Sequence, residues 1–218
     1  MPRHPDFVPQ GVIPAVLLPF HTDFSIDEAS FRAHLRDVAS VQGLSAITVN
    51  AHSTEVASCT LDEQRRVMEI AGEEVGGRLP IVHGIWADGS LEAARIARQA
   101  QAGGASALLV FPPAPFTIGQ TPEMALAHFK TIADASDLPL IAFQYPLATG
   151  QGYPLAIAHG ASDRPGSRDC AARPNDRRQR SGEERAGAAA GCGEGHRVRH
   201  DAAAILVSAA LKLRSGWL

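Results

Sequence analysis

Five short apolar runs recur along the first two thirds of this chain at an almost constant spacing. That repeat limits the fold more than any single motif. Residues 11–19 (GVIPAVLLP), 46–49 (AITV), 80–83 (PIVH), 107–111 (ALLVF) and 140–143 (LIAF) are centred on Val16, Thr48, Val82, Leu109 and Ile141, at intervals of 32, 34, 27 and 32 residues. The runs are nearly continuous in apolar residues, as strands covered on both faces require. Helical patterns fill the gaps. Ser25-Ile26-Asp27-Glu28 reads as a capping box before Phe31, Leu35 and Val38, and Thr60-Leu61-Asp62-Glu63 as another before Val67, Ile70 and Ala71. Ser90 is expected to cap a helix carrying Leu91, Ala94 and Ala97, and Thr121-Pro122 opens the next with proline at its favoured first position. Strands and helices alternating at this period make right-handed βαβ units on a parallel sheet. A dinucleotide-binding sheet needs a glycine-rich turn after its first strand, and Pro19-Phe20-His21-Thr22-Asp23 has no glycine. The expectation is an α/β fold: a partial (β/α)8 TIM barrel with about five N-terminal βα units in residues 1–158.

A sharp break follows. Among the 41 residues 159–199, Val198 is the only Val, Ile, Leu, Met, Phe, Trp or Tyr, while the stretch holds 9 of the 18 arginines and no lysine. Such a segment buries too little apolar surface to offset its ordering entropy, so we expect it to be irregular. Its composition matches a GC-rich coding sequence read in the wrong register; a genuine divergent or disordered segment is the alternative. Residues 200–218 return to ordinary composition and are expected to form a short C-terminal helical remnant.

The net charge of −3 and a 45% hydrophobic content fit an ordinary globular protein and give no reason to expect a nucleic-acid partner. The arginine run at 177–185 is diluted by Asp176, Glu183 and Glu184 and has no interleaved aromatics. No apolar run reaches the ~20 residues of a membrane span, and the polar, proline-bearing start does not resemble a secretory signal. Cys59, Cys170 and Cys192 are odd in number and irregularly spaced, as reduced thiols would be, so a cytoplasmic location is expected. Cys192, His196 and His200 fall four apart, but Gly191, Gly193 and Gly195 argue against the helix that would align them. No metal and no cofactor is expected.

Residues 11–20, 50–63, 128–133 (HFKTIA), 137–139 and 143–150 (FQYPLATG) resemble the dihydrodipicolinate synthase / N-acetylneuraminate lyase family, over about residues 8–157. The resemblance implies a class I aldolase-type lyase on a (β/α)8 barrel, working through a lysine Schiff base on pyruvate or another 2-keto acid. It also implies homo-oligomeric assembly. The family places a Gly-Thr-Thr-Gly-Glu turn after its second strand to grip the keto-acid carboxylate. Here that turn reads Ala51-His52-Ser53-Thr54-Glu55, making His52, Ser53 and Thr54 the candidate substrate-binding residues. Read from the residues alone, it is equally a strand-to-helix loop. The family's proton-relaying tyrosine on strand five aligns with Phe143. Tyr145, two residues on, points to the same side of an extended strand. It is either the substitute hydroxyl, and so the candidate catalytic residue, or a packing aromatic beside Pro146. Trp86 and His83 line the mouth or pack beneath the next loop.

Ala148 stands where aspartate-semialdehyde-condensing members carry an arginine, and residues 111–115 (FPPAP) stand where they carry tyrosines. A keto-deoxy sugar acid therefore suits the site better than the substrate of lysine biosynthesis. The Schiff-base lysine expected on strand six is absent. The two lysines are Lys130, in a helical motif on the outer ring, and Lys212, near the C-terminus. Arginine cannot replace an amine nucleophile, because its guanidinium stays protonated. The chain is thus expected to be a catalytically impaired lyase, with a non-catalytic pseudo-enzyme or small-molecule binding protein as the alternative.

Overall fold

The computed structural model describes residues 1–145, 152–153 and 210–211. Among these, four parallel strands lie side by side in chain order: β1 (Ile47–Val49), β2 (Ile81–Ile85), β3 (Ala107–Val110) and β4 (Leu140–Ala142). The register pairs Thr48 with Val82, Val82 with Ala107 and Leu109 with Ile141. Helices α1 (Glu28–Ser40), α2 (Leu61–Glu74), α3 (Ser90–Ala102) and α4 (Pro122–Ala133) supply the helical layer. The arrangement is that of consecutive βα units in a barrel. The described part of the C-terminal remnant is β5 (Ala210–Leu211), two residues antiparallel to β4. Residues 159–199 lie outside the described residues.

The first apolar run is not a regular strand. It runs parallel to β1 through single bridges, Val12 with Leu44 and Ala15 with Thr48. Val16 N–H donates to the Thr48 carbonyl at 3.1 Å and Thr48 N–H to that of Pro14 at 2.8 Å. The cause is local. Pro14 and Pro19 have no N–H to give a ladder, and Gly11 enters with φ +73°. Val16 and Leu18 are buried in one apolar cluster and Ile13 and Ala15 pack against the other, so the run is covered on both sides, although Val12 and Leu17 remain exposed.

Two helix starts differ from the sequence pattern. The cap of α1 is Asp27, whose carboxylate accepts from Ser30 N–H at 3.0 Å, while Ser25 bonds Asp23 in the preceding turn. Asp is as good an N-cap as Ser, so the cap shifts two residues. Ser90 is the first residue of α3 and caps nothing: its hydroxyl is 2.9 Å from His128 Nδ1 on α4. Thr60 and Glu63 form the full capping box of α2, and Thr121 caps α4 ahead of Pro122.

Strand residues alternate between two apolar layers. Ile47, Val49, Ile81, Ile85, Leu108, Val110 and Leu140 pack against helix residues such as Phe31, Ile70, Ile96 and Phe129. Ala46, Val82, Ala107, Leu109, Phe111 and Ile141 form a second cluster on the concave side, with Trp86 and Phe143 packed against it. This period-two split defines the interior face and carries its last residues to the C-terminal ends of the strands, where such folds hold their ligands.

Candidate functional site

Trp86, Phe111, Phe143 and Tyr145 share one parity, each an even number of residues beyond Val82, Leu109 or Ile141 on its own segment. They converge at the mouth. Into their midst projects His52, from a 3₁₀ turn (His52–Thr54) that follows β1. The His52 ring centroid lies 4.2 Å from Phe111, 4.9 Å from Trp86, 5.5 Å from Tyr145 and 5.7 Å from Phe143. Its Nε2 is 2.5 Å from the Tyr145 hydroxyl oxygen. Burial pushes the imidazole pKa down, opposed by the Glu55 carboxylate, and pushes the Tyr145 phenol up. Both shifts favour a neutral pair at neutral pH, one ring nitrogen and one phenol oxygen joined by a single proton.

The turn itself is held from below. Asn50, with φ +52°, gives its side-chain amide to the Gln64 carbonyl and to His83 Nε2, each at 2.9 Å. His83 Nδ1 lies 2.7 Å from the Gly84 carbonyl oxygen, so the ring is neutral, donating from Nδ1 and accepting at Nε2. Complete burial pushes its pKa down to about 4. His83 is therefore a support beneath the loop, and only Trp86 of that pair reaches the mouth. Gly84 is required here, because a Cβ at that position would overlap the Asn50 carbonyl oxygen.

The three candidate turn residues have different surroundings. His52 enters the aromatic cluster. Ser53 is half-buried, and its hydroxyl has no partner among the described residues. Thr54 is fully buried and donates its hydroxyl to the Val16 carbonyl at 3.0 Å, which ties the turn to the first apolar run. The amides of Thr54, Glu55 and Val56 bond back to Ala51 and His52, whereas those of His52 and Ser53 have no acceptor among the described residues. Two N–H groups beside a free hydroxyl suit one carboxylate. Tyr145 stands 4.9 Å from Phe143, ring centroid to centroid.

Tyr153, not singled out by sequence, lies beneath this wall: its hydroxyl donates to the Phe111 carbonyl at 2.8 Å and its N–H to Gln144 Oε1 at 3.0 Å. The one local hint was its aromatic character. Lys130 is exposed on α4, paired with Asp134 at 3.1 Å, and is no part of the mouth.

A model of the dihydrodipicolinate synthetase family matches residues 8–158. The 4-hydroxy-tetrahydrodipicolinate synthase of Sphingopyxis alaskensis is 37% identical over 136 residues, 62% of this chain and 45% of that protein. An uncharacterised DapA-like lyase of Pyrobaculum islandicum is 33% identical over 148 residues, 68% of this chain and 48% of its own length. The chain spans about half the length of the curated relatives it matches. Among solved structures, the chloride-inhibited dihydrodipicolinate synthase of Acinetobacter baumannii, complexed with pyruvate, is similar with a TM-score of 0.62 and 29% identity over 68% of this chain and 50% of that one. With His52 through Tyr145 all inside the matched span, the chain belongs to the dihydrodipicolinate synthetase family.

Proposed function

We propose that this mouth binds a 2-keto acid as a Schiff-base lyase of the family does, a carbon–carbon or carbon–oxygen lyase of aldolase or dehydratase type. The carboxylate would sit on the His52–Ser53 amides and the Ser53 hydroxyl, with Thr54 locking the turn rather than touching ligand. Tyr145 would face the keto carbon and move protons, with His52 as the neutral group that holds and exchanges its proton. The observation that carries this reading is the His52–Tyr145 contact, which joins the turn after β1 to the segment after β4.

The covalent step needs an amine that attacks the keto carbon and expels water. No lysine among the described residues faces the mouth, and Lys212 lies outside them. In this reading the 218-residue chain holds the keto acid without turning it over, and full lyase activity belongs to a barrel with its sixth-strand lysine. Cytoplasmic location and self-association belong to the same proposal. No helix among the described residues is long and apolar enough to cross a membrane.

Pyruvate titrated by calorimetry, with sodium borohydride added to a parallel sample, tests both halves. Saturable binding with no covalent mass increase is expected. Absence of binding would remove the mouth assignment. A stoichiometric adduct mapped to Lys130 or Lys212 would show that the chain has its nucleophile after all.

A further inference from the structure

We infer that Asn50 and His83 are positioning residues for this mouth: the buried polar link from α2 through Asn50 to His83 sets both the grip on the carboxylate and the surroundings of His52, although neither side chain reaches the mouth. The inference rests on the keto-acid reading above and concerns how that site is held. Asn50 follows β1 directly, and Gly84 of β2 lies against its carbonyl with no room for a Cβ. Its φ of +52° turns the chain out of the strand, a conformation that asparagine adopts more readily than most residues with a Cβ. Ala51 is extended, and His52 and Ser53 come immediately after it. A change in the Asn50 torsion therefore swings the two amides and the imidazole together.

What fixes that torsion is polar and buried. Asn50, Gln64 and His83 are each no more than 6% exposed. The Asn50 side chain has two amide N–H groups, and both are spent, one on the Gln64 carbonyl and one on His83 Nε2. Gln64 also holds the far end of the loop, its side-chain amide donating to the Cys59 carbonyl at 3.1 Å. Aliphatic side chains would fill the same space with no polar group to desolvate, but they would give the turn no direction. His83 is the acceptor in this link that a side chain supplies. Replacing it leaves a buried Asn50 N–H without its partner, and an Asn50 that turns toward another acceptor carries His52 and Ser53 with it. Ligand groups must be held to within about 0.5 Å to act together, so the displacement is felt at the mouth.

Pyruvate calorimetry and Trp86 fluorescence, both on the full 218-residue chain, test this separately. His83→Leu removes the acceptor, Asn50→Gly keeps the left-handed backbone without either amide bond, and His83→Gln restores an acceptor for Asn50 and a donor for the Gly84 carbonyl. Pyruvate should bind about tenfold more weakly in the first two, and within about threefold of the unaltered chain in the third. In a Trp217→Phe background Trp86 is the one tryptophan, and it stands 4.9 Å from His52, whose charged form quenches indole emission. Among the described residues, the titratable groups facing His52 are Glu55 of its own turn and Tyr145 after β4. Burial puts the His52 step below the ordinary histidine value, and His83, pushed down to about 4, stays neutral in a scan from pH 5 to 8. In His83→Leu and Asn50→Gly the loosened imidazole should meet more water, and its step should move up by about half a pH unit or more. Loss of the step in His52→Gln identifies it. If His83→Leu does not fold, Asn50→Gly decides. Pyruvate affinity and the Trp86 step both unchanged in Asn50→Gly would overturn the inference, even if urea unfolding showed a loss of stability. Failure of the unaltered chain to bind pyruvate would remove the keto-acid reading, and the Trp86 step would still decide the positioning role.

Discussion

The two faces of the parallel sheet are made from the same strands, yet they do different work. Facing the helices, Ile47, Ile81, Leu108 and Leu140 meet Phe31, Ile70 and Phe129 in a layer that is apolar and fully buried. Facing the barrel interior, small residues (Ala46, Ala107) give way toward the strand ends to Phe111, Trp86 and Phe143, which remain partly open apart from Phe111. A layer of interlocking apolar side chains maximises burial and tolerates little change. A ring of half-exposed aromatics with one histidine–tyrosine contact holds less buried area and keeps polar atoms available at its rim. The first layer is the one built for stability, and the second is where the proposed recognition would take place.

That division can be broken by measurement. Phe129→Ala, in the helix-facing layer, should cost about 3–5 kcal/mol, read by urea unfolding. A cost under about 1 kcal/mol would mean that this layer is not the stabilising one. Acid should act next. His83 and His128 are buried neutral, each pushed down to about 4 by burial. Between pH 6.5 and 4 the unfolded chain binds protons that the folded chain refuses, so stability is full above 6.5 and falls as pH drops. The loss is up to about 3 kcal/mol per histidine. Unfolding curves at pH 7 and 4.5 check this, and His83→Gln should flatten part of the slope. Equal midpoints at both pH values would contradict neutral burial.

Smaller effects sharpen the contrast. Tyr145→Phe removes one half-buried hydrogen bond at the mouth and should lower stability by about 1 kcal/mol. In a barrel that has its lysine, the same change should slow turnover about 10²–10⁴-fold. Unchanged turnover there would return Tyr145 to the role of a packing aromatic. Least of all, Arg66→Ala breaks the paired contacts to Glu28, both 2.7 Å, that tie α2 to α1. Both side chains are well exposed, so the change in melting should correspond to about 0.5 kcal/mol and shrink further in high salt. A loss comparable to Phe129→Ala would place real stability on the surface network.

Much of the scaffold was legible locally. The spacing of apolar runs located β1 to β4, and Thr60 with Glu63, and Thr121 with Pro122, located two helix starts, because these features depend only on neighbours three or four residues apart. The first run misled because its apolar content outweighed the two prolines that interrupt its ladder. Ser90 misled because a serine before a helical pattern usually caps it, and here a histidine 38 residues away takes its hydroxyl. At the site, shared parity placed Tyr145 beside Phe143. The sequence could not show that Thr54 turns its hydroxyl to Val16 while His52 reaches the strand ends.

By itself, then, the sequence determined the βα repeat, the barrel-type connection, most of the helix boundaries and the compositional break at residue 159. All of these are short-range or compositional properties. Tertiary structure decided that His52 meets Tyr145 across 93 residues, that His83 supports the turn from beneath, and that the interior ends in aromatic rings. Those outcomes depend on register between strands and on which residues the closing sheet brings within contact distance, and no local pattern encodes either.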